Sequence, residues 1–179
     1  MINEKDYNWL AIEGGAAKYD TIMKSFDRVD VSKDEKFQKT FTGFYRIRRS
    51  KELFLSKYYK YMESLKGKNV TFSEIIKKVY SFKGSIEPSF SSKMLATLDP
   101  NMPVWDQYVL INSGIGVPSY YGKTIEKCIS IYEQIILYYK RLLKSQDAKD
   151  MLNLFNKKLP EYKHFTDIKK IDLMLWQKR

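Results

Sequence analysis

Thr71-Phe72-Ser73-Glu74-Ile75-Ile76-Lys77-Lys78-Val79-Tyr80-Ser81-Phe82-Lys83-Gly84 contains a complete helix signature. The Thr71 hydroxyl can accept from the amide of Glu74 while Glu74 reaches back to the amide of Thr71, the reciprocal pair that opens a helix. Phe72, Ile75, Ile76, Val79 and Tyr80 recur at helical spacing, and Gly84 supplies the residue type that stops one. The spacing therefore predicts a helix with one buried face.

The same period extends in both directions. After Gly122, the residues Ile125, Cys128, Ile129, Tyr132, Ile135, Ile136, Tyr139, Leu142 and Leu143 trace one continuous stripe, that of a central helix. Upstream, Phe37, Phe41, Phe44 and Tyr45, then Leu53, Phe54, Tyr58 and Tyr59, predict two aromatic-rich helices divided near Arg49-Ser50. Met151, Leu152, Leu154 and Phe155 end before Pro160. Thr166-Asp167 opens a last helix through Ile168, Ile171, Leu175 and Trp176, and Lys178 and Arg179 suit its negative end. Strand signals are limited to Tyr45-Arg46-Ile47-Arg48 and Asn69-Val70-Thr71, short enough to be loop or helix. The fold class expected is all-α, one helical domain over 1–179 with short helices in 1–64, a hairpin-like segment at 85–113, and the long helix and C-terminal helices over 122–179.

Composition narrows the function classes. The 179 residues are 44% hydrophobic and 15% aromatic, which excludes a disordered chain and suffices for a core without staples. A single cysteine, Cys128, cannot bridge internally, and one histidine, His164, leaves no zinc-ligand pattern, so neither a metal nor a cofactor is expected. The polar start Met1-Ile2-Asn3-Glu4-Lys5-Asp6 and the lack of any apolar run near the ~18 residues of a membrane span predict a cytoplasmic protein with no membrane partner. Thirty-two Lys and Arg against 21 Asp and Glu give a net charge of +11, which attracts polyanions and makes nucleic acid the first partner to consider. A Lys-rich, AT-biased coding sequence gives the same excess without any such partner.

The stretch Glu87-Pro88-Ser89-Phe90-Ser91-Ser92-Lys93-Met94-Leu95-Ala96-Thr97-Leu98-Asp99-Pro100-Asn101-Met102-Pro103-Val104-Trp105-Asp106-Gln107-Tyr108-Val109-Leu110 is built differently from a plain core helix. The serine pair can cap a short helix starting near Lys93, Asp99-Pro100-Asn101 can end it, and Pro103 suits the first turn of the next. Asp106 then falls in or near the first turn of that second helix, where free amides and the macrodipole favour a carboxylate, with Trp105 beside it to exclude water.

This segment resembles the DNA glycosylases of the helix-hairpin-helix superfamily, especially the 8-oxoguanine and alkylbase branches and an uncharacterised bacterial set with their fold. Phe44-Tyr45-Arg46-Ile47-Arg48-Arg49 and Asp167-Ile168-Lys169-Lys170-Ile171-Asp172-Leu173-Met174-Leu175-Trp176 look like features of the bacterial set. The resemblance implies a DNA-repair hydrolase acting on duplex DNA. Lys93 would match the amine that attacks the sugar, and Asp106 the carboxylate that stabilises charge building on it. Phosphate contacts are expected from Arg46, Arg48, Arg49 and Lys51, with Ser91, Ser92, Lys169 and Lys170 as further candidates, and base stacking from Trp105 and Tyr45. Pro88-Ser89-Phe90-Ser91-Ser92 stands where the family carries a glycine-hydrophobic-glycine turn.

Two alternatives stay open: a catalytically silent nucleic-acid-binding module on the same scaffold, serving phage defence, plasmid maintenance or regulation, and a helical protein-interaction domain with incidental charge. Locally, Asp106 can be a dipole residue, the arginine cluster can pair with acidic helices, Trp105 and Trp176 can be core, and Cys128 lies on an apolar stripe as an inert side chain.

Overall fold

A computed structural model describes residues 4–47, 52–115 and 124–177. Among these residues the chain is helical with no extended strand: α1 (Trp9–Phe26), α2 (Glu35–Phe44), α3 (Glu52–Ser64), α4 (Phe72–Lys83), α5 (Pro88–Leu98), α6 (Gln107–Asn112), α7 (Ile125–Leu142), α8 (Gln146–Lys158) and α9 (Asp167–Gln177), with two single 3-10 turns. No described helix is long and apolar enough to cross a membrane.

The helix starts follow their side chains. Thr71 and Glu74 form the reciprocal cap of α4, Thr71 N donating to Glu74 Oε2 at 2.7 Å and Glu74 N to Thr71 Oγ1 at 3.3 Å. Gly84 closes that helix at φ +77, the left-handed region that an L side chain resists. Asn8, Asp34, Thr124 and Ser145 cap α1, α2, α7 and α8 in the same manner. Thr71→Ala is expected to lower the melting temperature by about 2–4 °C, the scale of one lost N-cap in a chain of this size; an unchanged thermal scan would show that packing alone sets the start of α4.

One buried cluster joins all of these helices. α1 packs on α2 and α9, α4 on α3, α5 and α7, and α9 on α6 and α8. Between α2 and α3 the core is almost wholly aromatic: Phe41 lies within 6.1 Å, centroid to centroid, of Phe37, Tyr45, Tyr58 and Tyr59. The tyrosine oxygens find carbonyls across helix boundaries, Tyr58 on Phe90 at 2.9 Å and Tyr132 on Pro103 at 2.7 Å. Each ring thus contributes apolar area while its hydroxyl fixes a neighbouring segment.

Three local expectations change. α1 is an 18-residue helix, so 1–64 is not composed of short helices only; Gly14-Gly15 interrupts its pattern without breaking it. α5 starts at Pro88, not near Lys93, because the fixed φ and missing amide of Pro88 suit a first turn, and the serine pair lies inside the helix. Pro103 precedes α6 rather than entering it, because the Asp106 carboxylate caps at Gln107. The strand-like runs resolve into a turn after α2 and the loop leading to Thr71.

Candidate functional site: a lysine and an aspartate in one cavity

Lys93 lies midway along α5 and Asp106 at the N-cap of α6, joined by a loop pinned from several sides. Thr166 Oγ1 donates to Pro100 O at 2.7 Å, the Tyr132 hydroxyl to Pro103 O at 2.7 Å, and Trp105 N to Ser92 Oγ at 2.8 Å. These contacts come from α7, from the residue preceding α9 and from α5 itself, so the position of Asp106 is fixed by the whole fold. Its Oδ1 accepts from Tyr108 N at 2.8 Å.

Both side chains line one cavity with Phe44, Tyr45, Lys169, Asp172 and Trp176, among others. Lys93 Nζ donates to Tyr45 O at 3.3 Å, and no ion pair joins it directly to Asp106. Burial pushes the Lys93 ammonium below the usual lysine range, against the smaller opposing pull of Asp106 and Glu87. Burial likewise pushes Asp106 above the usual carboxylate range, against the Tyr108 amide and the Lys93 charge. The two groups are therefore displaced toward each other, which favours a neutral amine and a proton-holding carboxyl relative to water.

Deeper in the cavity, α9 presents Lys169, Asp172, Leu173 and Trp176, spaced as one helical face. Lys169 Nζ meets Asp172 Oδ2 at 3.2 Å, and the Tyr139 hydroxyl donates to Asp172 Oδ1. Burial alone would lower Lys169, but the surrounding oxygens, Asp172 foremost by geometry, outweigh it and hold the ammonium above its ordinary range. Tyr45, 5% exposed, also lines the cavity, and its hydroxyl has no hydrogen-bond partner among the described residues.

The other sequence candidates separate. Ser91 and Ser92 are fully buried, their hydroxyls donating to Glu87 O and Ser89 O, so they hold α5 and its loop rather than a phosphate. Lys169 and Lys170 are 2% and 4% exposed, and Lys170 pairs with Asp167 at 3.8 Å; both are corrected from surface phosphate ligands to interior groups. Trp105 is 1% exposed in the core, where its ring lies parallel to that of Phe72, so it is no stacking platform for a base. Tyr45 reaches the cavity but is equally enclosed. Arg46 is exposed at φ +50, with its guanidinium 5.1 Å from the centre of the Trp176 ring. Arg48, Arg49 and Lys51, like Gly122, Lys178 and Arg179, lie outside the described residues.

Sequence reasoning passed over Asp172 and Tyr139 as functional groups. A signal was present: Asp172 is the one acid in the apolar run Ile171-Asp172-Leu173-Met174-Leu175, three residues after Lys169. His164 does have partners, Asp20 at 3.0 Å and Glu161 O at 3.2 Å, but it stands on the surface away from the cavity.

Both shifts have a stability sign. Lys93 prefers to be neutral in the folded chain, so its penalty is in force below the lowered pKa and is relieved as pH rises toward 10.5. Asp106 prefers to be protonated, so its penalty is absent below 3.8 and builds as pH rises through the raised value. Lys93→Met is therefore expected to raise the melting temperature at neutral pH by ~2–4 °C, about 1 kcal/mol for removing a poorly satisfied buried charge. A lower melting temperature would mean that Lys93 is a structural donor to Tyr45.

Compared with family models, curated proteins and solved structures, the chain matches none of them.

Proposed function

We propose that the protein binds DNA and excises a base, with Asp106 stabilising positive charge on the sugar and Lys93 as the attacking amine. The observation that carries this reading is that Lys93 and Asp106, from two different helices, share one cavity without neutralising each other. Two structural side chains of opposite charge at such depth would be expected to pair, as Lys169 and Asp172 do.

The chemistry follows from the two displaced proton affinities. As the bond from C1′ to the base breaks, its electron pair leaves with the base and the sugar becomes cationic; the Asp106 carboxylate offsets that charge. The neutral Lys93 amine forms the new bond to C1′, and the proton it then sheds passes to the departing base or to solvent. Loss of a proton from either residue brings it to its working form, so base release should rise with pH through the raised Asp106 value and on toward the lowered Lys93 value.

The cavity's size supports a second reading. Its volume of about 30 Å³ holds a water or two, whereas a benzene-sized ring needs about 150 Å³ on a comparable scale. A scaffold that binds DNA without opening this cavity is a silent binding module, a role also favoured by the missing glycine turn.

One experiment separates the readings from each other and from a protein-interaction domain. Wild-type protein is titrated with duplexes carrying oxidised, deaminated, alkylated or abasic sites at several salt concentrations, scoring binding, base release and borohydride-trapped adducts. Salt-sensitive binding with release is the expected result. Binding without chemistry on any duplex would select the silent module, and no salt-sensitive binding would remove DNA altogether.

A further inference from the structure

The small cavity has a neighbour. Beyond Phe44 and Trp176, which line both, a hollow of about 240 Å³ opens between α1 and α2, bordered by Gly14, Lys18, Gly43 and Arg46. Phe44 packs edge-on against Trp176 at 5.7 Å, and the guanidinium of Arg46 covers the Trp176 ring. Phe44 is buried in the core, but Trp176 is only half-buried and sits in the last turn of α9. Trp176 is thus the member of the partition free to move.

Two observations suggest that the divided space is meant to hold something. Gly14 and Gly43 occupy helix interiors at ordinary φ, and a Cβ at either would meet nothing within 4 Å, so neither packing nor backbone geometry calls for glycine there. A glycine in a helix interior is destabilising relative to alanine, and what these two do is leave the hollow deep. On the other side of the partition, the Tyr45 hydroxyl is buried without a partner, a condition native proteins rarely leave unless a ligand or water supplies one.

We infer that Trp176 divides a single nucleotide-sized site: the Lys93 and Asp106 cavity takes the base and sugar carbon once Trp176 swings out, and the hollow takes the adjoining phosphate between Lys18 and Arg46. The inference rests on the base-excision reading for the identity of the natural occupant. The partition itself is a property of the free protein. Swinging Trp176 away joins the two volumes, which together exceed what one ring requires, and it releases Arg46 from the indole face to meet an anion.

A planar aldehyde with its own phosphate tests this without DNA. Pyridoxal 5′-phosphate condenses with a lysine amine to an imine and water, borohydride fixes the adduct, and peptide mapping locates it; formaldehyde serves as the small control and exposed Lys33 as the internal reference. Trp176→Ala is expected to raise pyridoxal phosphate labelling of Lys93 relative to Lys33 by about tenfold, equivalent to about 1.4 kcal/mol of closing free energy. Gly43→Glu, which places a carboxylate in the hollow without a clash, is expected to lower it by a similar factor while leaving formaldehyde labelling of Lys93 unchanged. Trp176→Phe covers the case in which the alanine variant unfolds, as read by far-ultraviolet circular dichroism, and should give an intermediate increase. Labelling of Lys93 that is indifferent to Trp176, or indifferent to Gly43→Glu, overturns the divided site. If labelling responds as expected but no duplex is ever processed, the site stands and the base-excision reading alone falls.

Discussion

Asp172→Asn is expected to destabilise the folded protein by about 3–5 kcal/mol, since removing one partner of a buried ion pair leaves the other charge uncompensated. Lys169 is 2% exposed, its Nζ pairs with Asp172, and it lies 4.7 Å from the centre of the Tyr19 ring, so water cannot replace the lost carboxylate without opening α9 from α1. The Tyr139 hydroxyl, which donates to the same carboxylate, loses its charged acceptor as well. In a chain of this length the shift amounts to a fall in melting temperature of about 10 °C. The double variant Lys169→Met/Asp172→Leu should recover much of the loss, because it removes both charges and restores apolar volume. A double variant as unstable as the sum of the two single ones would show that the groups act independently, and that the contact is no true pair.

The second large effect is catalytic. Asp106→Asn should leave the fold intact, since asparagine caps a helix about as well as aspartate and its oxygen can still accept from Tyr108 N. The charge at the cavity is lost while the shape is kept. Removing one such preorganised group from a developing charge costs on the order of 10²–10³ in rate, so base release should fall by that factor with duplex affinity little changed. The residual rate should also lose the rise with pH that belongs to the carboxylate, leaving the rise that belongs to Lys93.

Local chemistry made most of the helices legible. The reciprocal cap of Thr71 and Glu74, the left-handed Gly84 and the apolar stripe of α7 are each set by neighbours within a few residues, and each appears where its spacing places it. The start of α5 was not legible in this way. Ser91 and Ser92 have the residue type of a cap, but their hydroxyls bond back to carbonyls within α5, and Ser92 serves an amide 13 residues away in Trp105. That choice is made by a tertiary contact.

The site divides along the same line. Lys93 and Asp106 were readable because a resemblance and a helix start pointed to them, and the fold brings both to one cavity. Lys169 and Lys170 were read as surface cations because lysine is ordinarily solvated. Their burial depends on acids on the same helix, Asp172 for Lys169 and Asp167 for Lys170, and on what α9 packs against. The net charge of +11 therefore overstates what the surface offers to an anion, because Lys169, Lys170 and the largely enclosed Lys93 do not contribute as free surface cations.

The most direct measurement places wild type and Asp106→Asn side by side on the lesion-bearing duplexes and reads binding and base release in the same reactions. Release by wild type, with a loss of about 10²–10³ in the variant at unchanged affinity, is the expected outcome. Equal release by both proteins, or tight binding by both with no release from any duplex, would contradict the assignment of Asp106 and with it the excision of a base at this cavity.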